Sequence, residues 1–183
     1  MKKKFLNITA AALSIGALFA VNALAADEMA TRANQTVAEF QSANPNLKSF
    51  MNSAAGYAVF PSVGKGGLVV GGARGSGVLF QNGAIVGRTT LTQGSIGAQA
   101  GGQTFSQIIC FESPTALSSF KDGKFSLSAD VNAIAISTSV SKTVPLTYTR
   151  GVAVFTMARS GLMVQAAVGG QRFTFEPLTP TGR

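Results

Sequence analysis

The residues of this chain that could do chemistry are few and widely separated. The chain contains one cysteine, Cys110, and no histidine. Without histidine, neither a Ser-His-Asp triad nor a Cys-His pair can form, and the commonest zinc sites are also excluded. Seven acidic residues follow residue 25, and apart from the adjacent Asp27 and Glu28 they stand singly. The pattern predicts a protein that is not an enzyme and needs no metal or cofactor.

The single cysteine is better explained by packing than by reactivity. It lies in the apolar run Ile108-Ile109-Cys110-Phe111, which is typical of a buried strand. A reactive thiol needs an accessible, electropositive setting. We therefore expect Cys110 to be a small core hydrophobe, and with one cysteine the fold must rest on its hydrophobic core rather than on a disulfide.

A glycine-rich stretch at 71–77, GGARGSG, is the segment most similar to a phosphate-binding loop. Neither the G-x-G-x-x-G nor the G-x-x-x-x-G-K-[ST] spacing is met, and β-type residues follow it. The stretch belongs to a longer run at 56–80 that combines glycine with Val, Leu, Phe and Tyr, residues that pack well on a sheet. Glycine in strands marks a tight bend, a bulge or a close backbone approach. We predict sharply turned β-structure here rather than a phosphate loop.

Basic side chains are the remaining candidates for a binding site. Without the three lysines of the leader described below, twelve basic residues face seven acidic ones, a net charge of +5. They are dispersed, and no Lys/Arg run indicates a nucleic-acid partner. Four lie beside glycine-rich turns, where a lipid headgroup could approach the backbone: Lys65, Arg74, Arg88 and Arg159. We predict that these four bind headgroups of anionic phospholipid at a membrane surface; ordinary solubilising charge is the alternative.

The first 25 residues have the pattern of a secretory signal peptide. Lys2, Lys3 and Lys4 precede an apolar stretch at 5–21, and Ala23-Leu24-Ala25 provides an A-x-A cleavage site. The apolar run is shorter than the roughly 20 residues of a membrane-spanning helix and contains polar residues. We expect an exported, periplasmic protein, either free or peripheral on a membrane, that begins at Ala26.

The elements that must position these side chains begin with a helical segment at 26–55. The first helix has apolar residues at helical spacing: Met29, Ala33, Val37 and Phe40. Asn44-Pro45 supplies an N-cap and a first-turn proline for a second helix. The apolar stripe of that helix is Leu47, Phe50, Met51 and Ala54. Both stripes either face the core or lie in a bilayer interface, and in the second case Lys48, Phe50 and Met51 are the predicted membrane-facing residues.

After Gly56 the hydrophobic period becomes strand-like, and a glycine-rich β domain is predicted over 56–178. The predicted strands are 57–62, 67–72, 76–81, 84–91, 94–100, 103–111, 124–131, 133–140, 147–157, 161–168 and 171–176. Asn82-Gly83 is a two-residue hairpin signal, and one short helix is expected at 114–121 with Ser113 as its cap. The predicted fold class is α+β, mostly β: N-terminal amphipathic helices, then an antiparallel barrel or sandwich with one inserted helix, and a tail at 179–183.

Two apolar hairpins in this β domain have similar sequences. Ala58-Val59-Phe60 is followed by Gly67-Leu68-Val69-Val70, and Ala153-Val154-Phe155 is followed by Gly161-Leu162-Met163-Val164. The turns between these pairs carry Lys65 and Arg159. The similarity indicates either a closed or pseudo-symmetric sheet or a chance resemblance between two apolar hairpins.

Six motifs in order carry a resemblance to a known family. They are Asn44-Pro45-Asn46-Leu47, Gly56-Tyr57-Ala58-Val59-Phe60-Pro61, Lys65-Gly66-Gly67-Leu68-Val69-Val70-Gly71-Gly72, Gly101-Gly102-Gln103-Thr104-Phe105, Gly151-Val152-Ala153-Val154-Phe155 and Gly169-Gly170-Gln171-Arg172-Phe173. Over about residues 28–178 the chain closely resembles the bacterial branch of the SYLF-domain proteins, described as lipid-binding. In eukaryotic members the resemblance implies binding to phosphoinositide-bearing membranes, partly through an N-terminal amphipathic helix, and some members associate with actin. For this chain it implies one lipid-binding domain over 26–178.

These observations favour an exported, non-enzymatic protein of the bacterial envelope that binds lipid or associates with a membrane surface. The alternative is an envelope structural or protein-interaction module with a protein partner and no lipid ligand. An integral outer-membrane barrel is disfavoured, because such barrels carry aromatic girdles and this chain has no tryptophan and two tyrosines.

Overall fold

The computed structural model describes residues 27–66, 70–96, 103–128, 130–137, 145–160 and 168–178. The predicted signal peptide, the tail at 179–183 and the predicted strand at 161–168, except for its last residue, lie outside the described residues. The same is true of parts of the strands predicted at 67–72, 94–100 and 133–140.

The described elements form one mixed sheet with helices packed on it. Helix α1 is described over 27–43, α2 is Asn46–Ser53 and α3 is Pro114–Lys121. The strands are β1 Gly56–Gly66, β2 Val70–Gln81, β3 Ala84–Ile96, β4 Gln103–Phe111, β5 Ala133–Ala135, β6 Val152–Ser160 and β7 Arg172–Pro177. Their order is β5-β6-β4-β1-β2-β3-β7, and each pair is antiparallel except the parallel pair β5–β6. The α+β, mostly strand class is confirmed, whereas closure into a barrel or sandwich stays a prediction because the described strands form an open sheet.

Local signals place α3 and the β2–β3 hairpin where they were predicted. The Ser113 hydroxyl accepts a hydrogen bond from the backbone N–H of Ala116 at 3.2 Å, and Gly123 follows the helix with φ +67°. Asn82 and Gly83 have φ values of 52° and 77°, as a two-residue type I′ turn requires. These elements depend on neighbouring residues alone, which is why the sequence predicts them well.

The boundary of α2 differs slightly from the prediction. The assigned N-cap is Pro45, which has helical φ and ψ of −58° and −25°; Asn44 stands one residue earlier, and its Oδ1 accepts a hydrogen bond from the backbone N–H of Asn46 at 3.1 Å, as an N-capping side chain does. The side chain of Asn44 therefore orders the turn that joins α1 to α2.

Strands β2 and β3 each run through a point where a break was predicted. The strands predicted at 76–81 and 84–91 are parts of the longer Val70–Gln81 and Ala84–Ile96. The glycines of β2 do not turn the chain, because β2 is one continuous strand. A Cβ at Gly77 would lie 2.2 Å from the carbonyl oxygen of Val59. A Cβ at Gly75 would lie 2.8 Å from Cγ2 of Val63. These glycines permit a close approach of β2 to the irregular part of β1 rather than a bend.

Two predictions in the second half were wrong. The described residues of 124–131 form an isolated bridge between Ser126 and Arg172 instead of a strand. The strand predicted at 147–157 begins at Val152, because Arg150 and Gly151 occupy a turn with φ values of 53° and 78°.

Side chains on the inner face of the sheet pack with α3 into an aromatic and aliphatic core. The ring of Phe120 in α3 lies 4.8 Å from that of Phe111 and 5.4 Å from that of Phe173 between centroids. Phe173 on β7 also lies 5.8 Å from Phe60 on β1, although β2 and β3 separate these strands. The sheet therefore curls around this core.

The outer face of β1, β4 and β6 is covered by α1 and α2. Ala33 and Phe40 of α1 and Leu47 and Met51 of α2 are buried in a cluster with apolar side chains of these strands. Cys110 belongs to the same cluster with an exposure of 0%. The apolar stripes face the core, and the prediction that Cys110 is a core hydrophobe is confirmed.

The first strands of the two similar hairpin sequences, 58–60 and 153–155, lie on the two strands that flank β4, but one residue out of step. Ala58 of β1 and Val154 of β6 are both register partners of Ile109. Phe60 therefore joins the inner core, whereas Phe155 joins the cluster under α1 and α2. The repeated letters place their side chains on opposite faces, so the described strands are not equivalent by symmetry.

Candidate functional site

The outer face of β2, β3 and β7 carries basic and hydroxyl side chains in register. Three rows cross these strands: Arg74–Thr92–Arg172, Ser76–Thr90–Thr174 and Val78–Arg88–Glu176. Register partners project from the same side of a sheet, with about 5 Å between strands and roughly 6.7 Å between rows. We define the arginine face as the polar members of these rows: Arg74, Ser76, Arg88, Thr90, Thr92, Arg172, Thr174 and Glu176.

Alternation along β7 fixes the direction of Arg172. Phe173 and Phe175 pack on the inner core, so the residues between and beside them project outward. Gln171, which precedes the strand, is fully buried. Its side chain exchanges two hydrogen bonds with that of Gln107, at 2.7 and 3.1 Å. The inner core and this amide pair therefore hold the start of β7 in place and leave the side chain of Arg172 outside.

Arg74 and Arg172 are exposed cations at the two ends of one row. Neither side chain forms an ion pair or a hydrogen bond within the described residues. Their Cα atoms are separated by two strand spacings, roughly 10 Å, with Thr92 between them. Two long guanidinium side chains at this spacing can converge on one phosphate group.

A pocket of about 240 Å³ extends this face towards α1. It is lined by Met29 of α1 and by Ser76, Gly77, Arg88, Thr89, Thr90, Thr174 and Glu176 of the sheet. The Thr89 hydroxyl donates a hydrogen bond to the carbonyl oxygen of Thr174 at 2.8 Å, which ties β3 to β7 beside the pocket. The sheet thus provides hydroxyl, guanidinium and carboxylate groups, and α1 provides one apolar wall.

The structure brings together two of the four predicted headgroup residues. Arg74 and the half-buried Arg88 both lie on the arginine face, two rows apart, or roughly 13 Å along the strands. Lys65 is a register partner of Ala73, whose side chain is part of the inner core. Lys65 therefore lies at the end of β1 on the other side of the sheet, apart from these arginines.

Arg159, the fourth predicted headgroup residue, is held by α1. Its guanidinium pairs with the Glu39 carboxylate at 2.5 Å and donates to the Thr36 hydroxyl at 3.4 Å. It also donates through Nε to the hydroxyl of Ser106, which in turn donates to the carbonyl oxygen of Pro61 at 2.8 Å. Arg159 thus joins α1 to β4 and β1, and Glu39 already balances its charge.

The predicted membrane-facing residues of α2 lie in two different environments. Lys48 is exposed, whereas Met51 is 2% exposed. The ring of Phe50 stacks on Tyr148 at 4.6 Å and meets the edge of Phe155 at 5.6 Å. Contact of Phe50 and Met51 with a membrane would require α2 to leave the sheet. Among the described residues, no helix combines the length and the apolar character needed to cross a bilayer.

Titratable groups beneath α1 and α2 are held in their neutral forms. Burial raises the pKa of the Cys110 thiol well above its usual range and raises the pKa of Tyr148 to about 12. Burial also raises the pKa of Tyr57. A thiol that stays protonated is a poor nucleophile. In the described part of the chain, no three acidic or cysteine side chains are grouped to hold a metal ion.

The sequence-based site prediction missed Arg172 and the hydroxyl rows. It selected basic residues beside turns, and Arg172 lies inside a strand-forming motif. The signal that could have found it is the alternation of polar residues with Phe173 and Phe175, which places Arg172, Thr174 and Glu176 on one face. Its alignment with Arg74 could not be found this way, because it depends on pairing between distant strands.

Comparison with known families identifies the second half of the chain. Residues 92–177 match the Ysc84 family model, described as a Las17-binding protein actin regulator. The comparison with curated proteins gives no match. The matched segment runs from Thr92 in β3 to Pro177 at the end of β7, and so includes Thr92 and Arg172 of the arginine face. The predicted resemblance is confirmed over this range: residues 92–177 match the Ysc84, or SYLF, domain family.

Proposed function

We propose that this chain is an exported, non-enzymatic protein of the bacterial envelope that binds anionic phospholipid at a membrane surface through its arginine face. The observation that carries the proposal is the row Arg74–Thr92–Arg172, in which two exposed guanidiniums have no acidic partner among the described residues. Guanidinium groups bind phosphate through paired, charge-assisted hydrogen bonds. The family resemblance, which implies lipid binding, supports the same conclusion.

The charge balance of the arginine face favours weak, reversible association. Three arginines stand against one acid, Glu176, on the same surface. Each basic group near an anionic membrane contributes on the order of 1 kcal/mol. Interactions between exposed charges are largely screened beyond about 8 Å at physiological ionic strength. Binding through this face should therefore be peripheral and sensitive to salt.

The direct test is co-sedimentation of the purified protein with lipid vesicles. We expect binding to vesicles that contain phosphatidylglycerol, no binding to vesicles of phosphatidylcholine alone, and release as sodium chloride is raised. Absence of binding to the anionic vesicles at low salt would refute the proposal. Cell fractionation and N-terminal sequencing test export, with Ala26 as the expected first residue.

A pair of charge-matched variants tests the face itself. Replacing Arg74 and Arg172 together by alanine should weaken vesicle binding by about 2 kcal/mol, or roughly thirtyfold, because both unpaired cations are lost. The control is the double variant Lys124→Ala/Arg150→Ala. It removes the same charge from side chains that are 76% and 69% exposed and pair with Asp122 and Asp130. Equal losses in the two variants would show that net charge, rather than this face, carries the binding.

A protein-interaction module without a lipid ligand is the alternative function. The matched family is described by a protein partner and a role as an actin regulator, which favours considering this class. A pull-down from the envelope that recovers one stoichiometric protein partner, together with no vesicle binding, would support the alternative.

A further inference from the structure

The pocket next to α1 differs from the rest of the arginine face because it presents both signs of charge. Arg88 and Glu176 are register partners on β3 and β7, and both line the pocket. Side chains that are directly opposite in an antiparallel pair have Cβ atoms about 5 Å apart. The hydroxyl-bearing residues Ser76, Thr90 and Thr174 line the same pocket. A ligand here meets a cation, an anion and hydroxyl groups within one small volume.

The size and lining of the pocket limit what it can hold. Its volume of about 240 Å³ is below the roughly 300–1,000 Å³ of pockets that enclose drug-sized ligands. Met29 is the one large apolar side chain in the lining. The pocket therefore suits a small polar group, such as a lipid headgroup, and offers little room or apolar surface for an acyl chain.

We propose that this pocket binds the phosphoethanolamine headgroup of a phospholipid. The phosphate is bound by Arg88 and the hydroxyls of Ser76, Thr90 and Thr174, and the primary ammonium is bound by the Glu176 carboxylate. Two carbons separate phosphate from ammonium in this headgroup, so its charges lie about as far apart as two neighbouring strands. The inference rests on the proposed function and adds a zwitterionic headgroup to it: the row Arg74–Thr92–Arg172 holds the protein at the anionic surface, and this pocket binds phosphoethanolamine.

Other common headgroups fit this set of side chains less well. A quaternary ammonium group, as in phosphocholine, is recognised by aromatic cages, and none of the eight lining residues is aromatic. A glycerol or inositol phosphate brings negative charge without a cation, which leaves Glu176 next to a phosphate and disfavours binding. The carboxylate of Glu176 therefore sets the selectivity, and the arginine row Arg74–Thr92–Arg172 adds attraction to the anionic surface around it.

Water-soluble headgroup probes test the pocket apart from the membrane. Calorimetry or NMR titration of the purified protein should show that glycerophosphoethanolamine binds at least about tenfold more tightly than glycerophosphocholine or glycerol 3-phosphate. Glu176→Gln should reduce the affinity for glycerophosphoethanolamine to that for glycerol 3-phosphate. Glu112→Gln, which neutralises an exposed acid outside the pocket, should leave the preference unchanged.

A second variant keeps the inference testable if Glu176→Gln disturbs the edge strand. Thr174→Val removes one hydroxyl from the exposed side of β7 and should weaken binding of every phosphate probe while leaving their order unchanged. Glycerol 3-phosphate binding as tightly as glycerophosphoethanolamine, or a preference that survives Glu176→Gln, would overturn the inference. If the inference fails in this way but binding to anionic vesicles still depends on Arg74 and Arg172, the proposed function stands. If binding to anionic vesicles does not depend on Arg74 and Arg172 either, both the inference and the proposed function are refuted.

Discussion

Arg159 and Arg74 lie on the same face of the sheet and have opposite roles in the structure. Arg159 lies beside α1, keeps 34% of its side chain exposed and is bound to Glu39, Thr36 and Ser106. Arg74 is exposed on β2 and forms no ion pair or side-chain hydrogen bond within the described residues. Both arginines stand close to glycines that the sequence pattern predicts to form turns, and both lie within strands. The comparison teaches that an arginine in this fold is available for a ligand only where no helix supplies its counter-charge.

The difference arises from the course of α1 across the sheet. Met29, near the start of the described helix, reaches the pocket on β2, β3 and β7. Thr36 and Glu39, further along, reach Arg159 on β6. The helix therefore supplies a counter-charge to Arg159 on β6 and leaves the arginine face on β2, β3 and β7 polar and basic.

The largest effect on stability is expected from adding a methyl group to β2, the strand that carries Arg74. Gly77→Ala should lower the free energy of unfolding by about 3 kcal/mol, because the new Cβ would lie 2.2 Å from the carbonyl oxygen of Val59 and force β2 away from β1. Urea denaturation measures the change. Gly94→Ala is the matched control, since a Cβ there meets no atom within 4 Å. Similar stability in the two variants would contradict a close contact between β1 and β2.

Removing the contacts of Arg159 should lower the stability of the protein and leave its lipid binding unchanged. Arg159→Ala should lower the free energy of unfolding by about 2 kcal/mol, because it leaves Glu39 and Ser106 without their charged partner. The fraction of protein bound to anionic vesicles should stay unchanged. Arg150→Ala serves as the control, because its ion pair with Asp130 is largely exposed and should contribute little to stability. A variant Arg159→Ala of normal stability that no longer binds vesicles would reverse the comparison.

Removing one uncovered arginine should have the opposite outcome. Arg74→Ala should weaken vesicle binding by about 1 kcal/mol, or roughly fivefold, and leave the free energy of unfolding within about 0.5 kcal/mol. Lys65→Ala removes the same charge from the other side of the sheet and should have a smaller effect on binding. If Lys65→Ala has the larger effect, the headgroups approach the inner side of the β1 end instead of the arginine face.

The last effect is expected only at alkaline pH, and it should appear on the side of the sheet that α1 and α2 cover. Burial raises the pKa of Tyr148 from 10.0 to about 12. Between these values the unfolded chain loses the phenolic proton and the folded chain keeps it, so stability declines as pH rises from about 10 towards 12. Thermal unfolding followed across this range measures the decline, and Tyr148→Phe should make it shallower. Stability that rises over this interval would show that Tyr148 is not protected by α2 and its neighbours.

The sequence predicted elements well where a signal acts on neighbouring residues, and less well where the same residue type is compatible with two structures. Ser113, Pro114 and Gly123 mark both ends of α3, and Asn82-Gly83 marks a hairpin, because each acts on its own backbone. The sequence pattern predicts turns at Gly75 and Gly77, whereas in the structure these glycines permit close strand packing. Glycine is compatible with both, and the choice depends on a distant strand. Only two of the four predicted headgroup residues, Arg74 and Arg88, lie on the arginine face. The prediction was based on proximity to predicted turns, which does not specify a face of the sheet.

The amino-acid sequence by itself determined the α+β class, the amphipathic helices, the absence of histidine-dependent chemistry and the family resemblance. Composition, periodicity and capping act over short stretches of chain, so these properties do not require knowledge of distant contacts. Only the tertiary structure decided that Arg74 and Arg172 share a row. It also decided that Glu39 forms an ion pair with Arg159, and that Arg88 and Glu176 line one pocket. Each of these results depends on strand order, register and the course of α1, which bring together residues far apart in the chain.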